Sequence, residues 1–350
     1  MNSYERFMER LATVPIPSPR TTSGVEIEIL KRIMTPTQAE FACLLTAEPE
    51  ALNAICRRTG VSSDALGVEL ERLVALGVVF KVYADPPLYS LVAMVPGIWE
   101  FRMNKNTPED IHLWERYYYE KQGAEVLGNK TPFLRVVPVK QSVPANVQIY
   151  TYEEVDAIIE NAGVIALADC VCRVSKKMIG EGCDAPVKDM CIFLDAWADY
   201  YVENKIGRPA SKEEARETIE RSREAGLVCN TINARQGSFA ICNCCGCCCF
   251  ILRGINELAM PGSIAKSNFI AEIASEQCTG CGTCVERCHV KALVLEGDAA
   301  ELIEDRCIGC GACDMACPFG AISLKRRTVP DSIPAYVNEL MATIAGGRKS

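Results

Sequence analysis

No stretch of this chain approaches the ~20 consecutive apolar residues of a membrane-spanning helix, although 49% of its 350 residues are hydrophobic. A helical membrane protein is therefore not expected, and the length allows two or three domains with real cores. The opening residues Met1-Asn2-Ser3-Tyr4-Glu5-Arg6 carry no basic-then-apolar export pattern, so a cytoplasmic location is expected. Basic residues are in the minority, 37 Lys and Arg against 45 Asp and Glu, for a formal net charge of −8. An acidic chain is not drawn non-specifically to nucleic acid or anionic lipid. No Gly-x-Gly-x-x-Gly follows a strand-like run, which counts against a self-contained NAD(P)H-dependent enzyme. Any electrons the chain handles must come from another protein.

Cysteine is what the chain has in excess, 21 residues in all. Eight of them form two superimposable runs, Cys278-x2-Cys281-x2-Cys284-x3-Cys288 and Cys307-x2-Cys310-x2-Cys313-x3-Cys317, offset by 29 residues. Three thiolates two residues apart on a looping backbone grip three irons of one [4Fe–4S] cube, while the cysteine after x3 reaches the other cube. Soft thiolate sulfur suits such clusters, and two cubes need eight ligands. The crossed assignment gives Cys278, Cys281, Cys284 and Cys317 to cluster one and Cys307, Cys310, Cys313 and Cys288 to cluster two. Gly280, Gly282, Gly309 and Gly311 occupy the intervening turns, where positive φ and close backbone approach are needed. N–H groups aimed at sulfur are one lever on a reduction potential that spans roughly −700 to +450 mV across such sites.

Two zinc ribbons would explain Cys-x2-Cys pairs but have no use for a further cysteine at x3 in both copies. Disulfides are disfavoured because cysteines this dense, without a secretory signature, suit a reducing and anaerobic interior. Residues 270–324, down to Cys317-Pro318, resemble the bacterial-type two-[4Fe–4S] ferredoxins over roughly one sixth of the chain. One departure is Cys288-His289, where that family has proline. Histidine titrates near neutrality, so His289 is a candidate for coupling the cluster to a proton, against the plainer reading of a solvent-facing loop residue.

The first hundred residues show apolar side chains at helical spacing over 25–34, 39–45, 51–56 and 66–76, then strand-like runs at 78–83 and 88–94. Helices closed by a hairpin look like a winged helix-turn-helix, carried by residues 51–76 with Arg57-Arg58-Thr59-Gly60-Val61-Ser62 as the turn. The would-be recognition helix holds Asp64, Glu69 and Glu71 against one basic residue, Arg72. That face repels phosphate, so docking or structure is expected of it rather than DNA binding. Cys43 and Cys56 lie in apolar helical segments and read as core cysteines.

Thr107-Pro108 starts a helix through Trp114, Tyr117, Tyr118 and Tyr119, an aromatic stripe that reads as core before it reads as a quinone or flavin pocket. After Pro132 the chain looks extended, with Pro138 and Pro144 forbidding a long helix. Beyond it lie eleven more cysteines: Cys170, Cys172, Cys183, Cys191 and Cys229, then Cys242, Cys244, Cys245, Cys247, Cys248 and Cys249. Mixed elements separate them: a helix over 153–161, a buried strand over 164–168, helices over 191–202 and after Ser211, and a strand over 239–242.

Six cysteines in eight residues exceed anything packing requires, since Ala or Val would fill the same volume without the oxidation risk. At least four of the eleven are expected to bind metal or a cluster. One further [4Fe–4S] cluster with spare thiols fits the count, and so do two clusters in an unusual arrangement. The expected ligands are Cys172, Cys183 and Cys191, with Cys245 or a near neighbour closing the site. Strand alternation puts Cys242 and Cys244 on one face and Cys245 on the other. Arg173 beside the site is a candidate for neutralising cluster charge or docking an anion.

The succession Cys-x-Cys-Arg, Gly226-Leu227-Val228-Cys229 and Cys242-Asn243-Cys244-Cys245-x-Cys247-Cys248-Cys249 resembles a family of poorly characterised iron–sulfur proteins of anaerobes. The resemblance implies three or more clusters and no settled reaction. The expected fold is α+β and multidomain: residues 1–103 winged-helix-like, 104–150 a helix and extended linker, 151–265 a cysteine-rich α/β domain, 266–327 a two-[4Fe–4S] ferredoxin domain, and 328–350 a C-terminal helix and tail. Three functions follow: an electron carrier relaying single electrons to or from a redox protein partner, a reductase with chemistry at a third cluster, and a redox-sensing regulator. The first is the leading expectation.

Overall fold

Side-chain alternation builds the centre of the protein. The computed structural model describes residues 1–143, 149–327 and 333–347. Six strands hydrogen-bond in the order Leu134–Val136, Val228–Ile232, Ala240–Cys244, Cys191–Leu194, Ile165–Ala168 and Arg208–Pro209, every neighbouring pair antiparallel. Residues two apart share a face. Ile165, Leu167, Ile192, Leu194 and Ile241 point to one side, where the helices Val155–Glu160 and Lys212–Glu224 cover them with Val155, Ile159, Ala215 and Ile219. The other face carries Ala166, Ala168, Cys191, Phe193, Ala240 and Cys244, buried in the main core. The helix Lys212–Glu224 starts from a reciprocal cap, Glu214 N–H to Ser211 Oγ at 3.2 Å and Ser211 N–H to Glu214 Oε2 at 2.9 Å, and the chain leaves it through Gly226 at φ +69°.

On the cysteine-bearing face sits the N-terminal region. Its helices Pro36–Ala42, Leu52–Thr59 and Ser63–Leu76 accompany a three-stranded antiparallel sheet ordered Glu50–Ala51, Leu88–Leu91, Val79–Val82, whose first strand lies between the first two helices in the chain. Phe80 and Phe101 stack into the aromatic face of the helix Ala196–Glu203, with Phe101 4.2 Å from Tyr200 and 5.4 Å from Trp197 between ring centroids. Tyr200 Oη donates to Val79 O at 3.2 Å. One core therefore runs from Tyr4 to Ile344, through regions that sequence patterns divide into separate domains.

The helix Pro108–Tyr117 begins at Thr107 as expected and continues as a π-turn over Tyr118–Gln122. Trp114, Tyr117 and Tyr118 of the aromatic stripe are buried in the core, whereas Tyr119 is exposed. Glu115, on that helix, accepts from Arg253 at 2.9 and 2.7 Å and from Lys176 at 2.7 Å. Removing one partner of such a buried ionic group costs about 3–5 kcal/mol. Its partners lie on the helices Val171–Met178 and Phe250–Glu257, whose N-caps are Cys170 and Cys249.

Two expectations are corrected. Residues 191–202 are not one helix: Cys191–Leu194 is a strand, and the helix Ala196–Glu203 follows only after Asp195 turns the chain at φ +52°. The alternation of Ile192 and Leu194 against Cys191 and Phe193 serves two buried faces, which a helix cannot do. The extended linker also contains the edge strand Leu134–Val136 of the main sheet, while Pro144 lies outside the described residues. At the C-terminal end, Phe269–Ile273 pairs with Ile322–Arg326, Leu293–Glu296 pairs with Ala299–Leu302, and the helix Val337–Gly347 follows. Among the described residues, no helix is long and apolar enough to cross a membrane.

Candidate metal centres

In the C-terminal segment, left-handed glycines Gly282 and Gly311 (φ +78° and +84°) start the short helices Thr283–Arg287 and Ala312–Ala316, so each x2 spacing turns back on itself. At Gly309 a Cβ would lie 2.0 Å from Phe269 O, which leaves glycine as the residue that fits. An outer recess is lined by Cys278, Cys281, Cys284 and Cys317. Cys288, Cys307, Cys310 and Cys313 are mutual neighbours in a second, inner group. Backbone N–H groups of Ala300, Ala292 and Ala321 donate to the sulfurs of Cys278, Cys288 and Cys317 at 3.4, 3.2 and 3.3 Å. The donor chemistry of both groups, four thiols with N–H groups aimed at sulfur, fits [4Fe–4S] clusters.

The two groups differ in exposure. Cys281 is exposed, with Phe319 and Leu295 near it at 52% and 46% exposure. The inner group is covered by residues 137–142: Val139 N–H donates to Cys310 O at 3.0 Å and Ser142 Oγ to Gly311 O at 3.3 Å. Burial pushes the Cys310 thiol up to about 12.

The middle region holds two thiol sets. Cys183, Cys245, Cys247 and Cys248 lie within 4.8 Å of one another, with Cys183–Cys245 at 3.8 Å, Cys183–Cys248 at 3.7 Å and Cys247–Cys248 at 3.7 Å. Thiolates about 2.3 Å from one tetrahedral ion stand about 3.8 Å apart, so the spacing fits a tetrathiolate centre. A four-iron cube would spread the same thiols further. Hydrogen bonds from the Cys247 and Cys248 thiols, with Arg173 beyond them, hold the Cys245 thiol well below the ordinary range.

The second set is a ring. Cys170 neighbours Cys172 and Cys191, Cys191 neighbours Cys242, Cys242 neighbours Cys244, Cys244 neighbours Cys249, and Cys249 neighbours Cys172. Cys191 and Cys242 are cross-strand partners, and Cys170 and Cys249 are the helix N-caps described above. All six line one apolar cavity of about 100 Å³, walled by Trp99, Phe193, Trp197 and Phe250.

The quartet expected from sequence is thus divided. Cys183 and Cys245 come together, but Cys172 and Cys191 belong to the ring, because Cys191 projects from the same sheet face as Cys242 and Cys172 lies in the first turn of the helix beside it. Cys244 and Cys245 part as alternation requires. Cys229 joins neither set; it packs on the opposite face of the sheet, where burial pushes its thiol up to about 12. Cys43 and Cys56 pack against the main core, as expected. Missing from the sequence reading were Cys247 and Cys248 as partners of Cys183, although their density was the available signal.

Arg173 lies between the sets. It is fully buried, its Nη1 donates to Asn243 O at 3.0 Å, and its Nε and Nη2 have no hydrogen-bond partner. Burial opposes its charge, but Cys170, Cys245 and Cys244 together hold the guanidinium protonated above its ordinary range. His289 is half-buried rather than solvent-facing. Its Nδ1 accepts from Gly246 N–H at 3.2 Å, and its Nε2 lies 2.9 Å from Gly226 O, which fixes the neutral Nε2–H form. Burial lowers its proton affinity further.

A family model described as a 4Fe-4S dicluster domain matches residues 266–324. No curated protein and no solved structure matches the chain. The protein is a mixed α/β chain with a C-terminal 4Fe-4S dicluster domain, and its cysteines suit iron–sulfur electron transfer.

Proposed function

We propose that the chain relays single electrons between a redox protein partner and an iron centre in its own middle region. The observation that carries this reading is the bridge from Cys288 to the Cys245–Cys248 loop. His289, next to Cys288, bonds Gly246, and Asn256 Nδ2 donates to both Gly246 O at 2.9 Å and His289 O at 2.8 Å. Cluster one, held by Cys278, Cys281, Cys284 and Cys317, faces solvent and is the docking end. Cluster two, held by Cys288, Cys307, Cys310 and Cys313, passes the electron inward to the centre held by Cys183, Cys245, Cys247 and Cys248. Both ring nitrogens of His289 are engaged, so it serves as a packed, neutral connector.

The N-terminal helices and three-stranded sheet support a winged-helix reading, used here for structure. Arg72 on its exposed helix is paired with Glu69, and Glu71 with Lys81, which leaves little basic surface for DNA. The reductase reading has one observation in its favour, the aromatic-walled cavity beside the inner thiols.

Anaerobic purification followed by metal and sulfide analysis and EPR of the reduced protein tests the relay. Expected are two interacting [4Fe–4S] signals plus iron that is lost in Cys247→Ala. Zinc in place of that iron, or reduction of the middle centre at the wild-type rate after cluster two is removed, overturns it.

A further inference from the structure

The ring of six cysteines is not needed by the relay just described. We propose that Cys170, Cys172, Cys249, Cys244, Cys242 and Cys191 together hold one iron–sulfur cluster of more than four irons, distinct from the Cys183 centre.

Geometry excludes a single ion, and the ligand count favours more than one cube. All six thiols line one cavity, each with two of the others as its neighbours around a closed circuit. Among the described residues, the Cys183 group is the one set of three or more metal-ligating side chains that lie within 4.8 Å of one another. The ring is therefore too open for a single ion to reach three of its thiols. The cavity of about 100 Å³ is several times the ~10–15 Å³ that one water needs on the same measure, so it accommodates a polynuclear core. A single cube presents four irons and takes four thiolates, which leaves two of these six without a role.

The frame is rigid and built for ligation. Two ring members are a cross-strand pair in the middle of the sheet, two cap helices, and those helices are locked by the buried Glu115, Arg253 and Lys176 group. As cluster ligands the six are thiolates, whose anionic charge in an aromatic-walled cavity is offset by the metal cations and a buried cation. Arg173 supplies the latter: fully buried, with two N–H-bearing nitrogens unpartnered, beside Cys170, Cys191 and Cys244 of the ring. A guanidinium in that position is a donor set for cluster sulfide.

The test uses the full chain, purified without oxygen, with iron, zinc and acid-labile sulfide counted per chain. Cys242→Ala and Cys191→Ala are expected to lose more than four irons each and keep the EPR signals of the dicluster segment, whereas Cys247→Ala keeps the ring iron. Because a core cysteine variant can fail to fold, the wild-type chain supplies a second readout. Its six ring thiols are expected to resist iodoacetamide until iron is stripped with acid or chelator, and then to be alkylated, as mapped by mass spectrometry. Zinc in the ring, disulfides among these six cysteines, alkylation before stripping, or unchanged iron in folded Cys242→Ala overturns the proposal. Since the ring variants spare the Cys183 centre, failure here is separable from failure of the relay.

Discussion

His289 Nδ1 accepts the Gly246 N–H at 3.2 Å, and a Cβ at Gly246 would fall 2.0 Å from His289 O. The residue after one cluster ligand and the residue between two thiols of another set are thus in van der Waals contact through backbone. Gly246→Ala must push them apart. An overpacked site of this kind costs about 1–3 kcal/mol, read as a lower midpoint in thermal unfolding. Freeze-quench EPR is expected to show slower reduction of the middle centre while the dicluster segment keeps its iron.

The crossed ligation is tested by Cys317→Ala. Cys317 lies with Cys278, Cys281 and Cys284 although it belongs to the other sequence run. The variant is expected to lose about four irons and the solvent-exposed cluster, which is the one relaxed by added paramagnets in EPR. Loss of the buried cluster instead would contradict the assignment.

Arg173→Met retains volume and removes the buried charge. A hydrogen bond to a charged group is worth about 1.5–3 kcal/mol, so the neighbouring one-electron potential is expected to fall by about 60–130 mV, at 59 mV per tenfold. EPR-monitored redox titration reads this directly. Arg173→Lys, which keeps the charge, should recover part of the difference; an unchanged potential in Arg173→Met would show that the guanidinium serves the fold alone.

Glu100 lines the ring cavity and caps the helix Ile98–Phe101, accepting Gly97 N–H at 2.6 Å. Burial raises its pKa to about 7 from 4.5. The folded state therefore favours the protonated carboxyl, and the stability this confers is complete below pH 4.5 and lost as pH rises through 7. At one pKa unit per 1.36 kcal/mol the loss is at most about 3 kcal/mol, less to the extent that the half-buried carboxyl reaches water. Wild-type thermal midpoints are expected to decline from pH 5 to 8, and Glu100→Gln to flatten that decline.

Phe101→Ala addresses the N-terminal region. Phe101 is packed against Phe80, Trp197, Tyr200 and Tyr201, and its truncation is expected to cost about 3–5 kcal/mol. A regulator with a separable output domain would show two unfolding transitions. Calorimetry is expected to show that the N-terminal and cysteine-rich regions melt together.

Local chemistry was legible in the chain. The two cysteine runs, the Thr107 and Ser211 helix starts, the glycine-bearing cluster turns and the opposite facing of Cys244 and Cys245 depend on spacing within a few residues. Misread were features set by distant partners. Cys191 looked helical until its strand was paired with residues 240–244, and residues 104–150 looked like a linker until Leu134–Val136 became a sheet edge.

The sequence by itself determined that thiolates cluster at the C-terminal end in two interleaved groups, because three of the four ligands of each set lie within a short run whose turns are specified by its own glycines. It also determined that Cys242–Cys249 exceeds any packing need. Only the tertiary structure decided which thiols meet. Cys183 and Cys248 are 65 residues apart and touch at 3.7 Å, and Cys170 reaches Cys191 and Cys172 reaches Cys249 through strand pairing and helix packing. Such contacts depend on how the sheet closes and which face each side chain takes, and spacing along the chain carries neither.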